Sequence, residues 1–384
     1  MNIIFIVDNL KNNPSAIVAN QFINGLNVIG VNLLVITSSA QSEDNLNNIL
    51  RLLIPVPYKI NTTKEKILFI LLFSKFYSKI INNCTLNKYL DTISNFHPDI
   101  VLTFSSCDAF SIIQLGNLIS KQFSIPHHVH AVDALPAPEC WGENRFLRES
   151  KISYIRRLST DIQIFTSSNK QMLEYQLGLI NNQNLLSAVI YNPINTEFIC
   201  SHKKTKIITI LYVGSLMSNS KGRNGLQYYK SIIHFKDISK YQFIFLGTGL
   251  DVKNTFNDIY PLPSNVHFIS WTDNIDEYIK NSSLLIDIDI DADNDVFLSS
   301  KLIKYLNSDL PIISITGANS PATNLLAVNG LGAHIISHDP ELIKNSIINF
   351  DSIHIDLNTR SEYIQQFMID NIISYIMNIY ASIL

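Results

Sequence analysis

The sequence is poor in cysteine, in charge and in long apolar runs. Its four cysteines (Cys84, Cys107, Cys140 and Cys200) are too scattered for a CxxC pair or a Cys/His zinc spacing. That argues against a disulfide framework and reads as the reduced thiols of a cytoplasmic protein. Charged residues make up 16% of the chain and the net charge is −3, so no basic excess draws it onto nucleic acid. No uninterrupted apolar run reaches the ~18 residues of a membrane-spanning helix. The opening "NIIFIVDN" has no basic n-region and no cleavage site, so no signal peptide is expected. "FLGTGLD" stops short of a third glycine, which leaves no intact dinucleotide fingerprint. What is present is globular: 46% of the 384 residues are hydrophobic, enough chain for two domains.

Short apolar strands alternate with helices along the chain. In the first half "NIIFIVD", "NLLVITS", "DIVLTFS", "IPHHVHAVD" and "IQIFTSS" read as strands. "PSAIVANQFINGLNVIG", "DAFSIIQLGNLISKQF" and "NKQMLEYQLGL" read as helices. After the polar break "CSHKKTK" the same grammar restarts with "IITILYVGS", "YQFIFLGTG", "VHFISW", "SLLIDIDI" and "PIISIT". Such alternation predicts parallel sheets with helices on both faces, whose ligands bind beyond the carboxyl ends of the strands. The expected division is residues 1–200 and 201–360, two Rossmann-like domains. Residues 361–384 are expected to form one long helix packing back toward the first domain.

Several strand ends carry chemistry. "LYVGSLMSNSKGRNG" offers Gly214 for a tight backbone approach. Lys221 then precedes a helix, a pattern that suits a phosphate cradle or an ordinary strand–loop–helix turn. In "DNDVFLSSKLIKYLNSDLPIIS", Ser299 or Ser300 is a ready N-cap. Lys301 then sits in the first turn, where the helix dipole disfavours a cation unless an anion is bound. Leu302, Ile303 and Leu306 share one face, with Lys301, Lys304 and Tyr305 opposite. The alternating acids of "DIDIDADND" lack the glycine and terminal glutamate of a calcium loop, and are expected to turn toward solvent or a cleft rim. "HHVH" alternates across a strand with no carboxylate or cysteine to complete a metal set. "DALPAPECWGENRFLRESK" reads as a Pro-rich loop with Asp133, Trp141, Arg145 and Arg148, placed to bind an acceptor; Trp141 suits a sugar face or a packing role equally. "KILFILLFSKFYSKII", with Lys59, Lys64, Lys66 and Lys88 nearby, is a buried helix or a surface for anionic lipid.

The order of the "YVGSL…KG", "FLGTG" and "SSKLIKYLNSDLPII" segments resembles the donor domain of GT-B glycosyltransferases of family four, the retaining, nucleotide-sugar-dependent type. "DIQIFTSSNKQMLEYQ" and "VIYNPINTEFI" resemble the strand and linker that precede it. The resemblance implies an α/β, GT-B fold: two doubly wound Rossmann-like domains facing a cleft, residues 1–200 binding the acceptor and 201–360 the nucleotide-sugar donor, with a C-terminal helix. It places Gly214, Ser215, Lys221, Gly247, Trp271, Thr272, Ser299, Ser300 and Lys301 at the donor, and His130 against the transferring sugar as the catalytic-site residue. The family's glutamate pair falls on Val296 and Lys304, with Asp295 adjacent, and its loop arginine falls on Ser215, with Arg223 as a possible substitute.

The implied activity is transfer of a hexose from a nucleotide diphosphate sugar to a growing surface glycan, with retention and without a metal or other cofactor. Expected partners are the donor, a glycan or lipid-linked acceptor and, through the basic segment, the inner face of a bacterial cytoplasmic membrane. The departures at Val296 and Lys304 keep a degenerate, non-catalytic binding protein as the alternative. A GT-B epimerase or phosphorylase is a further rival.

Overall fold

The computed structural model describes residues 1–10, 14–37, 49–53, 87–106, 109–142, 144–180, 182, 184–202, 206–217, 222–233, 235, 238–272 and 274–384. They form two units. One comprises Met1–Glu139, Glu143–Asn195 and Phe367–Leu384; the other comprises Cys140–Gly142 and Thr196–Gln366. The chain therefore passes between them at Asn195, a few residues before the polar break, and returns at Phe367. The basic stretch 66–81 lies outside the described residues.

Among the described residues the first unit holds seven strands: β1 (Asn2–Val7), β2 (Asn32–Thr37), β3 (Ile49–Leu53), β4 (Ile100–Ser105), β5 (His127–Ala131), β6 (Ile164–Ser167) and β7 (Leu186–Val189). Their order is β3-β2-β1-β4-β5-β6-β7, and every pairing is parallel. "NIIFIV" and "IVLTFS" are nearly continuous apolar runs because a parallel sheet is covered on both faces; Ile3 through Ile6 have no accessible surface. The C-terminal segment is not one helix. It forms Leu357–Ile364, a 3₁₀ turn at Gln365–Phe367, and then Ile369–Ala381. The break lets Phe367 accept from the Ile194 amide at 2.7 Å. The last helix then buries Ile372, Ile373, Ile376 and Tyr380 in the core with Phe5, Phe22 and Phe104.

The second unit holds β8 (Ile208–Val213), β9 (Tyr241–Leu246), β10 (Val266–Ile269), β11 (Leu284–Ile288), β12 (Ile312–Ile315) and β13 (Ala333–Ile336). Their order is β10-β9-β8-β11-β12-β13, again all parallel. Strand order reverses between β1 and β4 in one sheet and between β8 and β11 in the other. Those are the switch points where open α/β sheets bind ligands.

Two local expectations change. Residues 145–158, half of them assigned to a polar loop, form a helix. Asn144 caps it, its side-chain oxygen accepting from the Phe146 and Leu147 amides, and Leu147, Tyr154, Ile155 and Leu158 are buried. Tyr305, expected on a polar face, is 1% exposed and its hydroxyl accepts from the Val213 amide at 2.9 Å.

Candidate functional site

At the second sheet's switch point, β8 ends at Gly214, whose φ of +130° suits glycine alone. A Cβ there would fall 2.7 Å from Lys301 Cε, so the bare backbone makes room for the lysine stem. β9 ends at Gly247, with φ +82°. A Cβ on it would meet Trp271 Cε3 at 2.7 Å and Gly214 Cα at 3.8 Å. Thr248 ties the two turns together, donating to the Gly214 carbonyl at 2.8 Å. Gly214, Gly247, Trp271 and Lys301 are thus drawn into one constellation by strands β8 to β10 and the helix Ser300–Leu306. Trp271 leaves half its surface exposed. Thr272 accepts from the Asn274 amide at 3.2 Å, ahead of the helix Ile275–Lys280.

Charges gather beside this constellation. Arg223 donates from Nε and Nη2 to Asp289 Oδ1 at 3.2 and 3.1 Å. Burial opposes the Arg223 charge, but Asp289, Tyr212 and Asp287 more than offset it and its pKa rises. Ser314 donates to Asp287 at 3.0 Å, while burial, and then Asp289, push the Asp287 carboxyl up to about 6. Burial and Asp289 push Asp295 up to about 7. Lys301 is lowered to about 8, chiefly by burial and then by Arg223, against the pull of Asp287 and Asp289. The aspartate run therefore does not simply turn to solvent. Asp287, Asp289 and Asp295 are at most 3% exposed, and Asp291 and Asp293 are exposed. Parallel strands bury both faces, so alternation there cannot send every acid outward. No group of three or more metal-ligating side chains occurs among the described residues.

The remaining donor candidates divide. Ser299 is the N-cap of the helix Ser300–Leu306 but makes no side-chain cap bond, and Ser300 is its first residue. Ser215 is exposed, its carbonyl accepting from the Tyr212 hydroxyl at 3.4 Å. Lys221 lies outside the described residues. Lys304 bonds Asp276 at 2.6 Å, and Val296 is 6% exposed. Trp141 belongs by contacts to the second unit. Its indole N–H donates to Asp295 Oδ1 at 2.8 Å, and its ring meets Phe297 edge-on at 4.9 Å. Two open cavities of this unit, one along Gly330–His334 and one beside Lys206 and Gln242, touch none of these residues.

In the first unit, β5 carries three buried histidines. His127 bonds Thr103 at 2.8 Å and Asn117 at 2.7 Å, and burial lowers it to about 3. His128 bonds Thr166 and Tyr380. His130 is 1% exposed, lies against Phe22 and Phe104, and is lowered by burial to about 3. Its Nδ1 bonds Thr166 at 2.9 Å; its Nε2 has no partner among the described residues. Asp133 is half-buried after β5. Arg145 is exposed at the first position of its helix, and Arg148 bonds Glu139, the Ala137 carbonyl and Tyr175.

No protein-family model and no curated protein matches the sequence. Solved structures match its whole length. HepE of Anabaena, in complex with UDP and glucose, aligns over 100% of both chains with a TM-score of 0.71 at 12% identity. A glycosyltransferase from Rickettsia africae aligns over 99% of this chain and 98% of its own, with a TM-score of 0.66 at 13% identity. The apo form of the lipopolysaccharide outer core galactosyltransferase WaaB aligns over 100% of both chains, with a TM-score of 0.62 at 13% identity. The chain has the GT-B fold.

Within the GT-B frame, two residues missed by sequence reasoning stand out. Asp289 was seen only as one of an alternating run, yet it holds Arg223 at the switch point. Thr166 drew no notice because hydroxyls are common at strand ends; only the register, which pairs it with His130, brings it between two histidines. No helix among the described residues is long and apolar enough to cross a membrane.

Proposed function

We propose that this chain is a glycosyltransferase that moves a sugar from a nucleotide diphosphate sugar to a growing glycan, with retention and without a metal ion. The observation that carries the reading is the convergence of Gly214, Gly247, Trp271 and Lys301 at adjoining strand ends. It is a bare-backbone floor with a cation above it and an aromatic face beside it. A diphosphate suits such a place: amide groups and a lysine share its charge, and a base can lie on the indole. HepE, with the same fold, binds UDP and glucose, so a uridine nucleotide is the first donor to try.

In this reading Lys301 and Arg223, with Ser299, Ser300 and Ser215, serve the diphosphate, and Lys221 would add a second loop cation. Thr272 lies beside the base. Lys304 is taken up by Asp276, so ribose recognition falls to other groups. Asp295, with Oδ2 unpartnered among the described residues, takes the place of the missing acid toward the sugar. His130 is the sugar-site residue of the first unit in this reading, and Asp133 and Arg145 help select a surface-polysaccharide or lipid-linked acceptor at the cytoplasmic membrane face.

The test is a thermal-shift screen of the purified chain with UDP, GDP, ADP, CMP and dTDP and their sugars, with and without EDTA. Ligand binding raises stability with the logarithm of ligand excess over Kd. One nucleotide family should stabilise, equally with EDTA. A shift abolished by EDTA would refute metal independence, and no shift at all would refute the donor site. Product analysis of the stabilising sugar with and without a glycan acceptor then separates transfer from epimerisation.

A further inference from the structure

The first unit contains a continuous buried row of hydrogen-bonding side chains that ends at His130. The Tyr380 hydroxyl, on the last helix, lies 2.8 Å from His128 Nδ1. His128 Nε2 lies 2.7 Å from Thr166 Oγ1, and Thr166 Oγ1 lies 2.9 Å from His130 Nδ1. All four residues are at most 1% exposed, and none has another side-chain hydrogen bond among the described residues.

Proton counting gives the row a direction. A neutral imidazole has one N–H and one bare nitrogen, and a hydroxyl has one hydrogen. Thr166 can therefore donate to only one histidine and must accept from the other. If the row runs from Tyr380, its hydroxyl donates to His128 Nδ1, and His128 Nε2–H donates to Thr166. Thr166 then donates to His130 Nδ1, and every hydrogen before His130 Nε2 is used. The His130 Nε2–H is then the one polar atom of the row left without a partner among the described residues. If the row runs the other way, the Tyr380 hydroxyl accepts from His128, its own hydrogen is stranded in the core and His130 Nε2 is left a bare acceptor, so two polar atoms go unpaired instead of one, at a further cost. Thr166 accepting from both rings likewise strands its own hydrogen and leaves His130 Nε2 bare. A doubly protonated histidine in the row strands a further hydrogen, in keeping with the lowered basicity of both rings.

We propose that Tyr380, acting through His128 and Thr166, fixes His130 as an Nε2–H hydrogen-bond donor. Tyr380, His128 and Thr166 are positioning residues, and the atom that His130 Nε2 meets must be an acceptor oxygen, a hydroxyl or a phosphate. That last step rests on the reading of His130 as a sugar-site residue; the tautomer itself does not. The structure thereby gives the C-terminal helix a role in the chemistry of a strand more than two hundred residues earlier.

The experiment is long-range ¹H–¹⁵N correlation NMR on the full chain labelled in its histidines, with His130 and His128 assigned by substitution. Both rings should show the Nε2–H pattern and stay neutral at pH 5. An Nδ1–H pattern or a doubly protonated ring at either residue would overturn the proposal. Tyr380→Phe deletes only the oxygen that sets the direction. It should populate Nδ1–H forms of both histidines together, by about a tenth or more, while Thr166→Ser keeps the wild-type pattern. Unchanged tautomers in Tyr380→Phe would also overturn it. The readout needs no nucleotide. Predicted tautomers with no nucleotide-induced change would discard the transferase reading alone, and reversed tautomers with nucleotide binding would discard the row alone.

Discussion

The two sheets are built by the same rule and end in opposite chemistry. Beside its switch point the first sheet buries three histidines, and the register supplies each with a hydroxyl or amide from a neighbouring element. They remain neutral. The second sheet buries Asp287, Asp289 and Asp295 around Arg223 and Lys301, so its polar groups are ionic and tuned against one another. The difference comes from position. The histidines lie within a strand, where adjacent strands supply partners in register. The second sheet's charges lie largely in the loops after the strands, where they can also meet a ligand. A neutral network suits orientation, and an ionic one suits an anion.

Substitutions sharpen that contrast. The largest effect is expected from Asp289→Ala, which leaves the Arg223 guanidinium, 19% exposed, without its fully buried partner. Losing one member of a buried pair costs ~3–5 kcal/mol, and the part-exposed arginine places this loss at ~3 kcal/mol, read by urea unfolding followed through tryptophan fluorescence. Both tryptophans, Trp141 and Trp271, lie in the second unit, so the signal reports that unit. Gly214→Ala comes next. It forces φ +130° on a residue with a Cβ 2.7 Å from Lys301 Cε. The strain is worth ~1–3 kcal/mol, and the displaced lysine should weaken nucleotide binding in a titration.

Acidity should move the units in opposite directions. His127, His128 and His130 are lowered below their usual 6.5. The stability they contribute is present above pH 6.5 and is lost as pH falls through their lowered values, about 3 for His127 and His130. Asp287 and Asp295 are raised from 3.8 to about 6 and about 7. Their contribution is present below pH 3.8 and is lost as pH rises through 6 and 7. The fluorescence midpoint in urea should therefore fall between pH 5 and pH 7.5, and Asp295→Asn should reduce that slope by ~1–2 kcal/mol over the interval. A midpoint that rises over this range in wild type, or a slope unchanged in Asp295→Asn, would break the comparison. The smallest effect is expected from Trp141→Phe, which removes one donor to Asp295 at ~1 kcal/mol, in the same unfolding assay.

Much of this arrangement could be read from sequence, and the failures have physical causes. Alternating apolar strands and helices marked both sheets, and the glycines at 214 and 247 marked two strand ends. Lys301 was suspect because a cation in a helix's first turn needs an anion. The helix Arg145–Leu158 was hidden because Pro-rich chain precedes it, although Leu147, Tyr154, Ile155 and Leu158 have helical spacing. Tyr305 looked polar on a helical wheel, but its hydroxyl serves the β8 backbone. Of the alternating acids expected toward solvent or a cleft rim, Asp291 and Asp293 are exposed, but Asp287 in β11 and Asp289 just after it are buried, because alternation implies solvent only where one face is open. The bond between His128 and Tyr380 spans 252 positions, and no local pattern reports it.

The central claim is that the strand ends of the second sheet hold a nucleotide diphosphate through Lys301. Isothermal titration of UDP into wild type and Lys301→Ala tests it most directly. Loss of a charge-assisted contact of ~2 kcal/mol corresponds to a roughly thirtyfold weaker Kd, and that is the result expected, with the unligated variant still folded. Equal affinity in the two proteins would contradict the claim.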